Sequence, residues 1–139
     1  GQAPCVFDQF REMDFGAFEG HNYEELKADA RYQAWIDSNG TLPFPQGESR
    51  EQFQRRCVEG FCKLLKEMWT RERSLSSLAL VVHGGTIMAL LDAFAEGSYY
   101  DYQCANAKGY KGRLSVEFDV AGNVLRDTIK IADVRKLEE

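Results

Sequence analysis

The stretch that most constrains the fold is "SLALVVHGGTIMALL", residues 77–91. Its first six residues form a nearly continuous apolar run. Such runs suit a strand covered on both faces, as in a parallel or mixed α/β sheet. The chain then reaches His83, turns through Gly84 and Gly85, and takes up a helical pattern from about Thr86 to Ala95. Ile87, Leu90, Leu91 and Phe94 recur at the spacing of one buried helix face. In α/β sheets, ligands bind beyond the carboxyl ends of the strands, and His83 stands at such an end. The two glycines would let the backbone approach a ligand closely. The helix start would aim free N–H groups and the positive dipole end the same way. Together these features describe an anion cradle with an imidazole beside it. A histidine there can donate hydrogen bonds or act as acid, base or nucleophile. The same stretch also fits a plainer arrangement, a histidine at a strand end that caps a backbone carbonyl.

The rest of the chain supports an α/β reading. Asn22 can cap a helix, with Glu25 in the position of a capping box. Tyr23, Leu26, Ala30 and Ala34 follow at helical spacing, and Asn39–Gly40 closes the helix. "TLPFPQG" is a loop. Ser49 caps a longer helix with Gln52 in the box position. Phe53, Cys57, Phe61, Leu64 and Met68 line its inner face to about Arg73, while Glu51, Arg55, Glu59, Lys63 and Glu67 line the solvated one. "RLSVEFDV" and "VLRDTIKI", joined at Ala121–Gly122–Asn123, read as a hairpin. Residues 1–21 read as extended or looped, and the tyrosine-rich segment 99–110 as a loop. Helix, helix, strand, helix and hairpin make a single α/β domain over 1–139.

Length and charge narrow the function. At 139 residues, folding can bury roughly 70% of the unfolded surface, so a real core is expected. The net charge of −5, without a Lys/Arg stripe, argues against nucleic-acid binding. A phosphate substrate remains open, because a few local cations suffice. No apolar run reaches the roughly 18 residues of a membrane span. Nor does the start have the pattern of a signal peptide. A cytoplasmic protein is therefore expected, with no membrane partner. The first residues, "GQAPCVFDQF", read as a processed or trimmed end. Cys5, Cys57, Cys62 and Cys104 form neither a CxxC pair nor a zinc pattern. They are expected to be free thiols packed as small hydrophobes. No metal or other cofactor is implied.

A second candidate for chemistry is "FREMDFGAFEG", residues 10–20. It sets Glu12 and Glu19 among aromatic residues and glycines. A carboxyl group in a partly apolar pocket has a raised pKa and can serve as a general acid. That would suit phosphomonoester cleavage, where the leaving alkoxide needs a proton. Equally, both glutamates could be solvated or paired with Arg11.

Three blocks in order, "REMDFGAFEGHNYEEL", "PQGES" followed by "FQRR", and "LALVVHGGTIMALL", resemble the phosphoglycerate mutase-like branch of the histidine phosphatase superfamily. The resemblance implies a three-layer α/β/α sandwich. It implies that Glu12 protonates the leaving group, that His83 hydrogen-bonds the phosphoryl oxygens, and that the Gly84 N–H helps hold the phosphate. Glu19, Gly47, Glu48 and Ser49 fall at signature positions of more structural character. His21 falls at a variable one and reads as surface. "EMDFGAFEG" and "HGGT" are most similar to small-molecule phosphatases, notably α-ribazole phosphatase of cobalamin assembly. A mutase or a broad-specificity phosphatase is the next reading, since mutases carry other residues where Met13, Asp14 and Gly85 stand. The family's nucleophile, the histidine of an Arg-His-Gly, has no counterpart here, nor does the second arginine that follows it. By this reading the chain resembles the C-terminal two-thirds of such a domain, lacks its N-terminal portion, and is inactive alone. Its substrate would be a small phosphorylated metabolite. Uncovered strand edges would promote self-association. A reading of another class is a non-catalytic phosphate-binding module.

Overall fold

The computed structural model describes residues 5–73 and 76–137. Four helices and one hairpin make up its regular elements: α1 (Tyr23–Leu26), α2 (Ala30–Asp37), α3 (Arg50–Arg71), α4 (Gly84–Phe94), β1 (Tyr110–Phe118) and β2 (Val124–Lys136). Short 3₁₀ turns form at Asp8–Phe10, Gly16–Phe18 and Tyr99–Tyr102. The first two lie within the segment expected to be extended or looped.

The long helix α3 is the spine. Ser49 and Gln52 form the expected reciprocal capping box, with the Gln52 N–H donating to Ser49 Oγ and the Ser49 N–H to Gln52 Oε1. Phe53, Cys57, Phe61, Leu64 and Leu65 are buried along one face. They form one core with Phe10, Ala89, Leu90 and Ile129. Each fully buried side chain of the Leu or Phe size contributes about 1.5–3 kcal/mol of transfer free energy. The core therefore fastens the 8–10 turn, α3, α4 and the hairpin to one another. A smaller aromatic cluster, Phe18, Leu26 and Phe44, holds the 15–45 region together. Phe44 meets Phe15 and Phe18 edge-on and stacks on Trp35 at 4.8 Å.

The helix expected from Tyr23 onward is broken. Asn22 does cap α1, its side chain accepting from the Glu25 N–H at 3.0 Å. The Glu25 side chain does not close a box, because it turns to His21 at 2.6 Å. Asp29 then caps a fresh helix by accepting from the Arg31 N–H at 2.8 Å. A carboxylate that can bond the backbone locally competes with continued helix, and here it restarts one. Asn39 and Gly40 end α2 in the left-handed region, with φ of 57° and 75°.

The hairpin runs longer than the sequence pattern suggests. β1 and β2 pair antiparallel from Tyr110–Lys136 to Phe118–Val124, with two irregularities of register. Asp119 Oδ1 accepts the N–H groups of Ala121 and Asn123 and fixes the turn. Trp69 of α3 stacks on Phe118 at 4.5 Å and seats the hairpin against the helix.

The run 77–82 departs most from expectation. It joins no ladder among the described residues. A strand needs a neighbour with free N–H and C=O groups, and the hairpin does not lie against it in register. Leu78 and Leu80 are half-exposed and Val81 is fully exposed. Across from this run stands β1, which pairs with β2 alone among the described residues. Between them lies a groove of about 1240 Å³, floored by Phe61, Leu65 and Trp69. Apolar side chains beside unpaired backbone make a site for strand pairing. The 139-residue chain taken alone is therefore expected to associate. Sedimentation velocity should show species above monomer mass that grow with concentration, and a stable monomer at every concentration would contradict this.

Candidate functional site

The site begins with how Glu12 is held. Residues 9–14 have little regular structure of their own, and Arg56 of α3 fixes them from behind. Its Nη1 donates to the carbonyls of Gln9 (2.8 Å) and Arg11 (2.9 Å), and its Nη2 to that of Glu12 (3.3 Å). The same guanidinium makes a bidentate pair with Glu48, Nε to Oε2 at 3.0 Å and Nη2 to Oε1 at 2.6 Å. Glu48 Oε1 also accepts the Asp14 N–H at 2.9 Å. The pair is largely buried, at 13% and 17% side-chain exposure. A planar guanidinium suits this arrangement because its fork can grip a carboxylate while its remaining N–H groups reach carbonyls. The Arg56 guanidinium pulls the Glu48 pKa below the usual carboxylate range, and Glu48 in turn raises that of Arg56.

The loop carrying Glu48 packs backbone to backbone on the same segment. The Ala17 N–H donates to the Pro45 carbonyl at 2.7 Å, and the Glu48 N–H to the Asp14 carbonyl at 2.9 Å. A Cβ on Gly47 would stand 2.5 Å from the Asp14 carbonyl oxygen. Glu19, exposed, accepts the Phe15 N–H at 3.2 Å. Arg11 pairs with Asp8 rather than with either glutamate. His21 is on the surface, as expected. Gly47 and Glu48 thus back the segment that carries Glu12, while Ser49 caps α3 and Glu19 braces Phe15.

Helix α4 brings His83 and its glycines to that segment. Thr86, fully buried, donates from Oγ1 to the Phe10 carbonyl at 3.1 Å and ties the helix start to the same segment. His83 is the N-cap of α4, yet its ring makes no capping hydrogen bond. Its side chain is 62% exposed, and Nδ1 lies 3.9 Å from Glu12 Oε2. That distance is too long for a hydrogen bond. The two groups lie side by side with their polar atoms free of each other. Among the described residues, Glu12 Oε1 accepts only the adjacent Met13 N–H, at 2.8 Å.

The two glycines differ from expectation in what they approach. A Cβ on Gly84 would sit 2.9 Å from the Cys104 carbonyl oxygen. A Cβ on Gly85 would sit 2.7 Å from Glu12 Oε1 and 3.5 Å from Phe53 Cε2. Both glycines therefore accommodate the protein itself, and Gly85 makes room for the carboxylate. The N–H groups of Gly84, Gly85 and Thr86 have no hydrogen-bond partner among the described residues. They remain available at the helix start beside His83.

Burial pushes the Cys57 thiol up to about 11, so it stays protonated and weakly nucleophilic at neutral pH. Cys57 is packed as expected, Cys62 and Cys104 are half-buried, and Cys5 is exposed against expectation; all four are free. No cluster of metal-ligating side chains occurs among the described residues.

The family described as histidine phosphatase superfamily (branch 1) matches residues 2–126. The chain belongs to this superfamily. Its helices packed with a hairpin agree with the phosphoglycerate mutase-like α/β fold of that family. A curated relative named "Putative phosphoserine phosphatase 2", from Hydrogenobacter thermophilus, is 32% identical over 93 residues. The aligned part is 66% of this chain and 43% of the relative, so the chain spans less than half of that protein's length. No helix among the described residues is long and apolar enough to cross a membrane.

Arg56 is the residue that sequence reasoning passed over. It stands next to Arg55 in a helix with an evident charged face and was not separable from it by type. The usable signal was periodicity: Arg56 lies three residues from Phe53 and one from Cys57, hence at the border of the buried face. Arg56→Ala is expected to cost about 3 kcal/mol in chemical denaturation, because it leaves Glu48 without its partner. Glu48 binds a proton less tightly folded than unfolded. Its contribution is complete above the unfolded value of about 4.3 and is lost as pH falls through the lowered folded value. The acid limb of stability against pH should therefore be shallower in Glu48→Gln than in the wild type.

Proposed function

We propose that this chain carries the acid and the second histidine of a phosphomonoesterase that works through a phosphohistidine. The observation that carries the reading is the unbonded pair of Glu12 and His83, 3.9 Å apart at the open start of α4. A phosphoryl group set between them would meet His83 and the Gly84 N–H on its non-bridging oxygens. Its ester oxygen would meet Glu12. In the first step an incoming imidazole forms the N–P bond while the P–O ester bond breaks. Glu12 gives its proton to the departing alkoxide. In the second step water attacks the phosphohistidine, Glu12 takes the water's proton, and the N–P bond breaks to release inorganic phosphate. Donors aimed at the phosphoryl oxygens, where charge builds, supply electrostatic stabilisation.

The nucleophile and further phosphate-binding cations are supplied, on this proposal, by polypeptide outside the 139 residues. The groove between 77–82 and β1 supports this reading, since it offers unpaired backbone and apolar side chains next to His83. Reading the parent gene upstream of Gly1 tests it directly. An Arg-His-Gly there supports the enzyme, and a start codon next to Gly1 leaves only the non-catalytic phosphate-binding module.

The substrate is a small phosphorylated metabolite. The sequence blocks around Glu12 and His83 favour an α-ribazole 5'-phosphate phosphatase. A phosphoserine-type substrate is the second reading, favoured by the name of the Hydrogenobacter thermophilus relative.

The full-length protein is expected to hydrolyse 4-nitrophenyl phosphate without added metal and to be inhibited by vanadate. His83→Ala should lower kcat by about 10²–10³, the scale for losing one transition-state donor. A wild-type rate in that variant would remove His83 from the reaction. Glu12→Gln should slow alkyl phosphates far more than 4-nitrophenyl phosphate, whose leaving group needs no proton. Equal slowing of both would remove Glu12 as the acid.

A further inference from the structure

Arg50 opens α3, one turn before Phe53. Phe53 is the residue whose ring would be met, together with the Glu12 carboxylate, by a Cβ on Gly85. Arg50 therefore stands about one helical turn from the residue that borders Gly85. Its guanidinium lies over two rings at once, 5.3 Å from the centroid of Tyr99 and 5.7 Å from that of Tyr100. The two tyrosines meet edge-on at 5.3 Å. Tyr99 is packed against the main core, whereas Tyr100 is 55% exposed. Tyr99 packs against the same core that contains Phe53, so Arg50, Tyr99 and Phe53 share one neighbourhood.

Arg50 differs from the other arginines around the site in what its N–H groups do. Arg56 is saturated by Glu48 and three carbonyls, and Arg11 pairs with Asp8. Arg50 has neither a carboxylate nor any other hydrogen-bond acceptor among the described residues. A guanidinium held over aromatic rings by its charge spends none of its N–H groups on a hydrogen-bond acceptor. A half-buried, orientationally held fork with empty donors is suited to bidentate capture of an oxyanion. Beyond it, Tyr100 also borders a shallow hollow of about 310 Å³ with Trp35, Ile36, Asn39 and Gly40, large enough for a small organic body.

We propose that Arg50, held by Tyr99 and Tyr100, forms a subsite for a carboxylate on the leaving group of the phosphomonoester. This rests on the phosphomonoesterase reading above and deepens it. Glu12 and His83 handle the phosphoryl end, and Arg50 grips an anion at the other end of a small substrate. Substrates with a second anion are thereby preferred, which ranks the phosphoserine-type substrate above α-ribazole 5'-phosphate within that reading.

The test uses the full-length protein and two matched substrates, O-phosphoserine and O-phosphoethanolamine, which differ by one carboxylate. The wild type should favour O-phosphoserine in kcat/KM by about tenfold or more, the scale of a charge-assisted bidentate contact. Arg50→Ala should bring that preference close to one by losing activity on O-phosphoserine selectively. Arg50→Lys, which keeps the charge without the fork, should retain an intermediate preference. Equal losses on both substrates in Arg50→Ala, or an unaltered preference, would overturn the subsite. A wild type that hydrolyses both substrates equally would overturn it too while leaving the phosphomonoesterase reading intact. A wild type that hydrolyses neither of these nor 4-nitrophenyl phosphate would overturn both.

Discussion

The rest of the site depends on the grip of Arg56 on the 9–14 segment. That segment has no ladder and one short 3₁₀ turn, so nothing in its own backbone would hold Glu12 in place. One guanidinium replaces the missing regular structure by binding three of its carbonyls, and Glu48 neutralises the buried charge while taking an N–H of the same segment. A lysine could supply the charge but not five directed donors. Because Arg56 sits on α3, Glu12 inherits the rigidity of the longest helix. The capping box at Ser49–Gln52 and the buried face of α3 thereby act on the site at a distance.

The histidine–glycine turn is the complementary half. Its resemblance to a phosphate cradle draws attention to the free N–H groups, and these are present. The glycines themselves answer to different neighbours, Gly84 to a backbone carbonyl and Gly85 to the Glu12 carboxylate. A side chain at position 85 would collide with the carboxylate before it met any ligand. The turn thus seats the Glu12 carboxylate while its own N–H groups stay free among the described residues. The exposure of His83, with no capping bond, follows from the same geometry: the ring is left over once the helix start has been tied down by Thr86.

Much of this was legible in the sequence where one residue type decides the outcome. Ser49 with Gln52, the Asn39–Gly40 stop, the hairpin turn and the apolar face of α3 are local signals, and each appears in place. Glu12 and His83, 71 positions apart, were paired by resemblance and stand together in the structure. The failures are of another kind. Asp29 restarted a helix because a short carboxylate outcompeted a weak amphipathic pattern with little buried surface. Arg56 escaped because a charged residue at the edge of a helix face has the same pattern whether it is solvated or clamps a distant backbone. The roles of Gly84 and Gly85 depend on residues 104 and 12, which no local window contains.

The run 77–82 shows how pattern and pairing come apart. Its composition is that of a strand buried on both faces, yet of this run only Val82 packs against the main core. The other requirement of a strand is a partner for its N–H and C=O groups, which no side-chain pattern can supply. The described residues place β1 across a groove instead of against it. An apolar run with half-exposed leucines and a fully exposed Val81 is costly to leave in water, at about 25 cal/mol per Å² of apolar surface. The same run ends on His83, so whatever covers it also lies beside the histidine. A strand paired there would bring its own end to the side of the molecule where Glu12 and His83 lie.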